Sequence, residues 1–158
     1  MRKSATTRAK KINISYKDKK YWRRTVNYRN WTKSVTQNWN NKCAITGEKS
    51  NLLCHKFYSY NKTYCSIQQK FLRYYPQNGI LICKDVHVLF HLIFGYTNTT
   101  LNDFLAFLTY LIHYTTPISS QAYQEWWEGS ETRVHDPERI MRLHERLEKI
   151  QNTVFFMI

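Results

Sequence analysis

The chain has 158 residues, which is long enough for one folded domain and too short for two large catalytic domains. It is 42% hydrophobic and 16% aromatic. Its 4 Gly and 3 Pro exclude collagen-like and proline-rich classes, and the apolar content argues against wholesale disorder. The 24 Lys and Arg against 11 Asp and Glu give a formal charge of +13, which indicates a polyanionic partner, either nucleic acid or an anionic membrane surface.

Residues 1–42 carry most of this charge, with 13 Lys and Arg against a single acid, whereas residues 43–158 carry 11 against 10 acids. We interpret 1–42 as a basic arm that contacts the phosphates of nucleic acid and is attached to a nearly neutral body. Aromatic residues interleave with the cations, where they can stack on bases or, alternatively, pack the arm onto the body. The candidate nucleic-acid-binding residues are Lys17, Lys19, Lys20, Arg23, Arg24, Arg29 and Lys33.

Two short strands are predicted in the body. The segment 51–60 is rich in Leu, Phe and Tyr, and residues 80–83 form an apolar run directly after the turn signal Asn78-Gly79. The polar and aromatic stretch at 61–77 lies between them, and we expect it to form an irregular loop.

Three helices are predicted after these strands. The first spans residues 84–94 and ends at Gly95, a residue favoured just beyond helix ends. The second begins at a capping box formed by Thr100 and Asp103, and it is strongly apolar on one side. The third begins at the Asp-Pro pair at 136–137, because Asp is a good N-cap and Pro suits the first helical position.

These elements predict an α+β protein in three parts: the arm at 1–42, a core at 43–114 and a C-terminal helical extension at 115–158. The most apolar stretch, at 104–114, is too short to cross a bilayer, and the basic start lacks the apolar segment of a secretion signal. We expect an intracellular protein with reduced cysteines and no membrane partner. The 12 Tyr and the many Asn have A/T-rich codons, which favours an organellar (chloroplast or mitochondrial) or phage genome.

His87 and His91 lie four residues apart in the first predicted helix. Residues at this spacing share one helix face, so both imidazoles can reach a single metal ion. Spacing alone is weak evidence, since a helix can also carry two histidines for packing or for contact with solvent.

The order of motifs in the body is similar to that of the HNH nuclease family, whose core is a ββα-metal finger. A strand with a His is followed by a turn with an Asn, a second strand and a helix with two His. Phage- and intron-encoded HNH endonucleases are the most similar members. The resemblance is carried by Cys43-Ala-Ile-Thr46-Gly47, by Leu53-Cys54-His55 and by the run from Asn78 to Thr100.

The resemblance implies that His55 is the general base that activates water, that Asn78 orients this base, and that His87 and His91 bind a divalent metal ion. Such residue types suit phosphodiester hydrolysis, because a neutral imidazole can take a proton from water and a divalent ion can stabilise charge on the phosphate.

The family usually has His-His or Asp-His on the first strand, where the first residue binds the metal and the second is the base. This chain has Cys54, His55 and Lys56 instead, which allows two alignments. In the favoured alignment Cys54 is a metal ligand and His55 is the base. In the other, His55 is the ligand and Lys56 takes the base position, where an ordinary protonated Lys is a poor base.

The predicted function is therefore a DNA endonuclease that hydrolyses phosphodiester bonds in double-stranded DNA with one divalent ion, as homing endonucleases of introns and phages do. The expected ion is Mg²⁺ or Mn²⁺, with Zn²⁺ as the alternative. One competing hypothesis is a catalytically decayed HNH protein that only binds nucleic acid. Another is a basic component of a ribonucleoprotein, which leaves the histidine pattern unexplained.

Overall fold

The computed structural model describes residues 23–58, 72–96, 99–113 and 136–155, and the structural statements below refer to these residues. They form helices and a two-stranded antiparallel sheet, in agreement with the predicted α+β class. In chain order, the elements are helix α1 (Val26–Asn38), strand β1 (Leu52–Lys56), a 3-10 turn (Pro76–Asn78), strand β2 (Gly79–Cys83), helix α2 (Lys84–Phe94), helix α3 (Leu101–His113) and helix α4 (Pro137–Val154).

The sheet is a hairpin of β1 and β2 with Leu52 opposite Cys83 and Lys56 opposite Gly79. Successive side chains of β1 point to opposite faces of this hairpin, as in any strand. Cys54 contacts α1 on one face, while the ring of His55 packs against Phe90 of α2 on the other. Helices therefore cover both faces of the sheet, which explains why every residue of β2 is buried.

Helix α1 lies within the segment that the sequence analysis treated as an arm. Thr25 caps its first turn by accepting a hydrogen bond from the backbone N–H of Tyr28 at 3.3 Å. Trp31 and Val35 are buried in the main hydrophobic cluster, together with Trp39 just after the helix. The boundary predicted after residue 42 thus separates segments that share one core, because the apolar stripe of α1 packs on the hairpin.

Gly79 at the start of β2 allows this close packing of α1 on the hairpin. A Cβ atom at Gly79 would lie 2.5 Å from Cγ2 of Val35 and 2.7 Å from the ring of Trp31, both closer than real contacts allow. The indole N–H of Trp39 also donates a hydrogen bond to the carbonyl of Gly79, at 3.0 Å. Gly79, which the sequence marks only as part of a turn signal, is therefore also a point at which α1 contacts the sheet.

The predicted starts of the last two helices are confirmed. The carboxylate of Asp103 accepts hydrogen bonds from the backbone N–H and hydroxyl of Thr100, and the Thr100 hydroxyl accepts one from the N–H of Asp103. This is the reciprocal capping box that was predicted. Asp136 caps α4 by accepting from the N–H of Arg139 at 3.0 Å, with Pro137 in the first turn. Helix α4 packs along α3 and extends the core.

The helices that the structure describes include none with both the length and the apolarity needed to cross a membrane. Several predictions fall outside the described residues: the arm residues Lys17, Lys19 and Lys20, most of the loop predicted at 61–77, and the polar segment 115–135.

Candidate metal centre

Three imidazoles from separate parts of the chain converge between β1 and α2. His55, His87 and His91 each present one ring nitrogen, and these nitrogens lie within 4.8 Å of one another. The ring centroid of His55 is 5.3 Å from that of His87 and 5.4 Å from that of His91. His87 and His91, which were predicted to share one helix face, thus form a group with His55, and this group of three could hold a metal ion.

A hydrogen bond at the end of α2 fixes the orientation of His91. Its Nδ1 lies 2.6 Å from the carbonyl oxygen of Gly95, so Nδ1 carries the proton and Nε2 presents a lone pair. Nε2 of His91 faces Nε2 of His87 at 3.1 Å. A carbonyl that fixes the tautomer of a histidine in this way is a common support of metal-binding imidazoles.

His55 lies deeper than the two helix histidines, with 5% of its surface exposed. Its ring contacts those of Phe90 and Phe104, with centroids 4.9 Å and 5.7 Å away. Its Nε2 is buried and accepts or donates no hydrogen bond among the described residues. A buried polar atom without a partner costs about 1–3 kcal/mol, and a bound cation would remove this cost. The donor set therefore fits a metal ion.

Burial and mutual repulsion keep His55 and His87 neutral. Burial, together with proximity to His87 and His91, lowers the pKa of His55 to about 3. Burial, His91 and the charge of Arg23 lower the pKa of His87 to about 4. Neutral imidazoles are the form that binds metal, so His55 and His87 can take a cation at physiological pH without first losing protons.

Cys54 does not lie with the histidines, which disagrees with its assignment as a ligand of the same ion. Its sulfur is 3.7 Å from the hydroxyl of Thr36 and 3.7 Å from the carbonyl of Thr32, both in α1. The physical reason is strand geometry: because His55 faces α2, its neighbour Cys54 faces α1. Burial raises the pKa of the Cys54 thiol, so it stays protonated.

Lys56 also points away from the histidines, towards α1. Its ammonium lies 4.4 Å from the ring centre of Trp31 and 5.1 Å from that of Tyr74, and it donates a hydrogen bond to the carbonyl of Arg73. Burial and the charge of Arg73 lower its pKa to about 8. The second alignment thus fits the position of His55 as a ligand, but it does not bring Lys56 to the site as a base.

Asn78 is fully buried and connects the two ends of the loop between the strands. Its side-chain oxygen accepts from the N–H of Tyr58 at 2.8 Å, and its amide donates to the carbonyls of Tyr58 and Leu72, each at 3.0 Å. Asn78 does not touch the histidines in these contacts. Its role is to hold the chain just after β1, and hence the strand that carries His55.

Four of the predicted nucleic-acid-binding residues are described, and all four are exposed: Arg23, Arg24, Arg29 and Lys33. The charge of Arg23 lowers the pKa of His87, so at least one of these cations acts on the histidine group. Helix α1 itself contains no Asp or Glu to offset these cations.

Three features of the site were not predicted from the sequence. Phe90 and Phe104 form its apolar wall, the carbonyl of Gly95 fixes His91, and the ring of Tyr96 stacks on His91 with centroids 4.4 Å apart. Two of these features had local signals in the sequence: Phe90 lies between the two helix histidines, and Gly95 marks the end of the helix. Nothing in the sequence pattern pointed to the contact made by Tyr96.

Comparisons of the chain with known protein families, with curated proteins and with solved structures found no match.

Replacement of Asn78 by Ala should destabilise the protein strongly. The change leaves one N–H and two carbonyls of Tyr58 and Leu72 without their partner, at about 1–3 kcal/mol for each buried group. We expect a fall of more than about 2 kcal/mol in the free energy of unfolding, measured by urea denaturation. The exposed Asn30→Ala is the matched control and should change it by less than about 0.5 kcal/mol. Equal effects of the two variants would contradict the role of Asn78.

The metal-free protein should lose stability as the pH falls below about 6.5. The pKa values of His55 and His87 are about 3 and about 4 in the folded state, below the ordinary value of 6.5. Between pH 6.5 and 4 the unfolded chain therefore binds more protons than the folded one, so protonation favours unfolding. Urea titrations in EDTA at pH 7, 6 and 5 should show a decrease of order a few kcal/mol. His55→Leu should reduce this slope to the contribution of His87, and an unchanged slope in the variant would refute the assignment.

Proposed function

We propose that this chain is a metal-dependent DNA endonuclease of the HNH type, with one metal ion held by His55, His87 and His91. The observation that carries the proposal is the convergence of these three imidazoles, with a buried nitrogen of His55 that has no protein partner among the described residues. The motif order of the sequence, the exposed cations of the chain and the charge of Arg23 acting on His87 support a phosphodiester substrate.

In this proposal His55 is a metal ligand rather than the general base. A base must exchange its proton with water after each turnover, and His55 is almost completely enclosed, with Phe90 and Phe104 against its ring. Its pKa of about 3 also makes it a weak proton acceptor. A buried neutral nitrogen that faces two others is better suited to bind a cation.

The ligand set favours Zn²⁺ over the Mg²⁺ or Mn²⁺ expected from the resemblance. All three donors are imidazole nitrogens, which suit zinc and its neighbours, whereas Mg²⁺ and Mn²⁺ prefer oxygen ligands. Three protein ligands also leave coordination positions open, as in catalytic zinc sites. When bound there, a divalent cation supplies positive charge to the phosphate and lowers the pKa of water.

The protein groups around the histidines orient the metal ligands and bind the DNA. The carbonyl of Gly95 keeps the lone pair of His91 aimed at the group of three, and the Phe90 and Phe104 rings exclude water behind His55. In this proposal Arg23, whose charge acts on His87, binds the phosphate of the scissile strand. The double-stranded DNA is bound through these cations and those of the basic segment before α1.

A second candidate function is a DNA-binding protein of the same fold that no longer cleaves. The observation that favours it is the direction of Cys54 and Lys56. Both face α1, so among the described residues β1 brings no side chain besides His55 to the histidine group. This candidate keeps salt-sensitive DNA binding and loses strand scission.

Nicking of a supercoiled plasmid in the presence of Zn²⁺, Mn²⁺ or Mg²⁺ distinguishes the two candidates. We expect metal-dependent nicking that falls by more than about 100-fold in His55→Ala, His87→Ala and His91→Ala, since even residues that only support a metal ligand contribute about 10- to 100-fold. His144→Ala is the control, because His144 lies on α4, where it contacts Glu148 at 3.6 Å.

The outcome that contradicts the nuclease proposal is DNA binding without nicking under any of the three metals. Nicking that persists undiminished in His91→Ala would equally contradict it, because the activity would then come from another site or from a contaminant.

A further inference from the structure

Tyr96 lies at the edge of the candidate metal centre with one ring face packed and the rest open. Its ring is stacked on that of His91, with centroids 4.4 Å apart and planes 12° from parallel, yet 71% of the residue is exposed. We propose that Tyr96 binds an unstacked nucleobase of the DNA substrate, next to the scissile phosphate. The inference rests on the proposed nuclease function and specifies how that site receives its substrate.

The chain around Tyr96 holds the ring in place. The helix α2 ends at Gly95, whose positive φ of 78° turns the backbone out of the helix direction. The Gly95 carbonyl accepts from Nδ1 of His91, and the N–H of Gly95 donates to the carbonyl of His91 at 2.9 Å. The residue before Tyr96 is thus tied to His91 twice, and the Tyr96 ring rests on the imidazole of the same residue.

This arrangement puts the exposed ring of Tyr96 beside the proposed binding site of the scissile phosphate. His91 contributes Nε2 to the group of three and a ring face to Tyr96, so both features share one side chain. A phosphate held at the histidines brings its attached nucleoside to this end of α2. Exposed aromatic rings near bound phosphates are used to stack bases, without preference for a particular sequence.

Two residues in the last turn of α2, Leu92 and Ile93, are also exposed and apolar. This end of the helix therefore presents apolar side chains to solvent, whereas the exposed cations Arg23, Arg24, Arg29 and Lys33 lie in or just before α1. Apolar side chains that meet DNA act by wedging between base steps or by stacking on bases, and cations act on phosphates. The exposed aromatic and apolar side chains at this end of α2 therefore suit contact with a nucleobase.

Bases in an intact duplex already stack on each other, so Tyr96 can reach a base face only where a base step is opened or a strand is unpaired. Opening a step has an energetic cost that an unpaired substrate does not incur. The inferred substrate class is therefore DNA with a locally unpaired or readily unstacked position, and the structure predicts a preference for such DNA that depends on Tyr96.

The test compares the affinity of the full chain for an intact duplex and for the same duplex with a short unpaired bubble, by fluorescence anisotropy in EDTA. We expect tighter binding of the bubble by the wild type. Tyr96→Ala should weaken bubble binding by about 5- to 100-fold, the range expected for loss of one stacked base, with little change for the intact duplex. Tyr96→Phe keeps the ring and should retain the preference. Tyr75→Ala removes another exposed Tyr and should behave as the wild type.

Zn²⁺ affinity, measured by calorimetry, separates base binding from a role in holding His91. Tyr96→Ala should bind Zn²⁺ as the wild type does. A loss of Zn²⁺ affinity as large as the loss of bubble affinity would overturn the inference, because Tyr96 would then act only through His91. An unchanged bubble preference in Tyr96→Ala overturns it while leaving the nuclease proposal standing. Absence of DNA binding by the wild type overturns both.

Discussion

Strand β1 can present only one of its two faces to the histidines of α2, and this alternation decides which side chains form the candidate site. His55 faces α2 and the aromatic wall, whereas Cys54 and Lys56 face α1. The narrow hairpin thereby serves two structural purposes. One face packs against the aromatic residues of α1, and the other brings a ring nitrogen of His55 to the two histidines of α2.

The same geometry makes the histidine group costly in the absence of a cation. Three imidazoles share a partly enclosed space, the pKa values of two of them lie far below the ordinary value, and one buried nitrogen has no described partner. A cation that binds only the folded protein adds its binding free energy to the stability of the fold. Metal binding and the integrity of the hairpin are therefore expected to be coupled, with Asn78 holding the chain that leads away from β1.

Local rules allowed much of the fold to be predicted from the sequence. Helix α2, the capping box before α3 and the Asp136 cap of α4 depend on neighbouring residues, and the structure has each where it was expected. Helix α1 was missed because the density of cations concealed an apolar stripe formed by Trp31 and Val35. The orientation of β1 could not be predicted, since Cys54, His55 and Lys56 lack the polar–apolar alternation that reveals which face is buried. The stacking of Tyr96 depends on a turn after α2 and has no sequence signature.

A crystal structure of the full chain grown with Zn²⁺, with anomalous data collected at the zinc absorption edge, tests the central claim most directly. The account predicts one anomalous peak, about 2.0–2.1 Å from a nitrogen of each of His55, His87 and His91, with a further coordination position open to solvent. A peak bound by the two helix histidines without His55, or bound elsewhere on the surface, would contradict it.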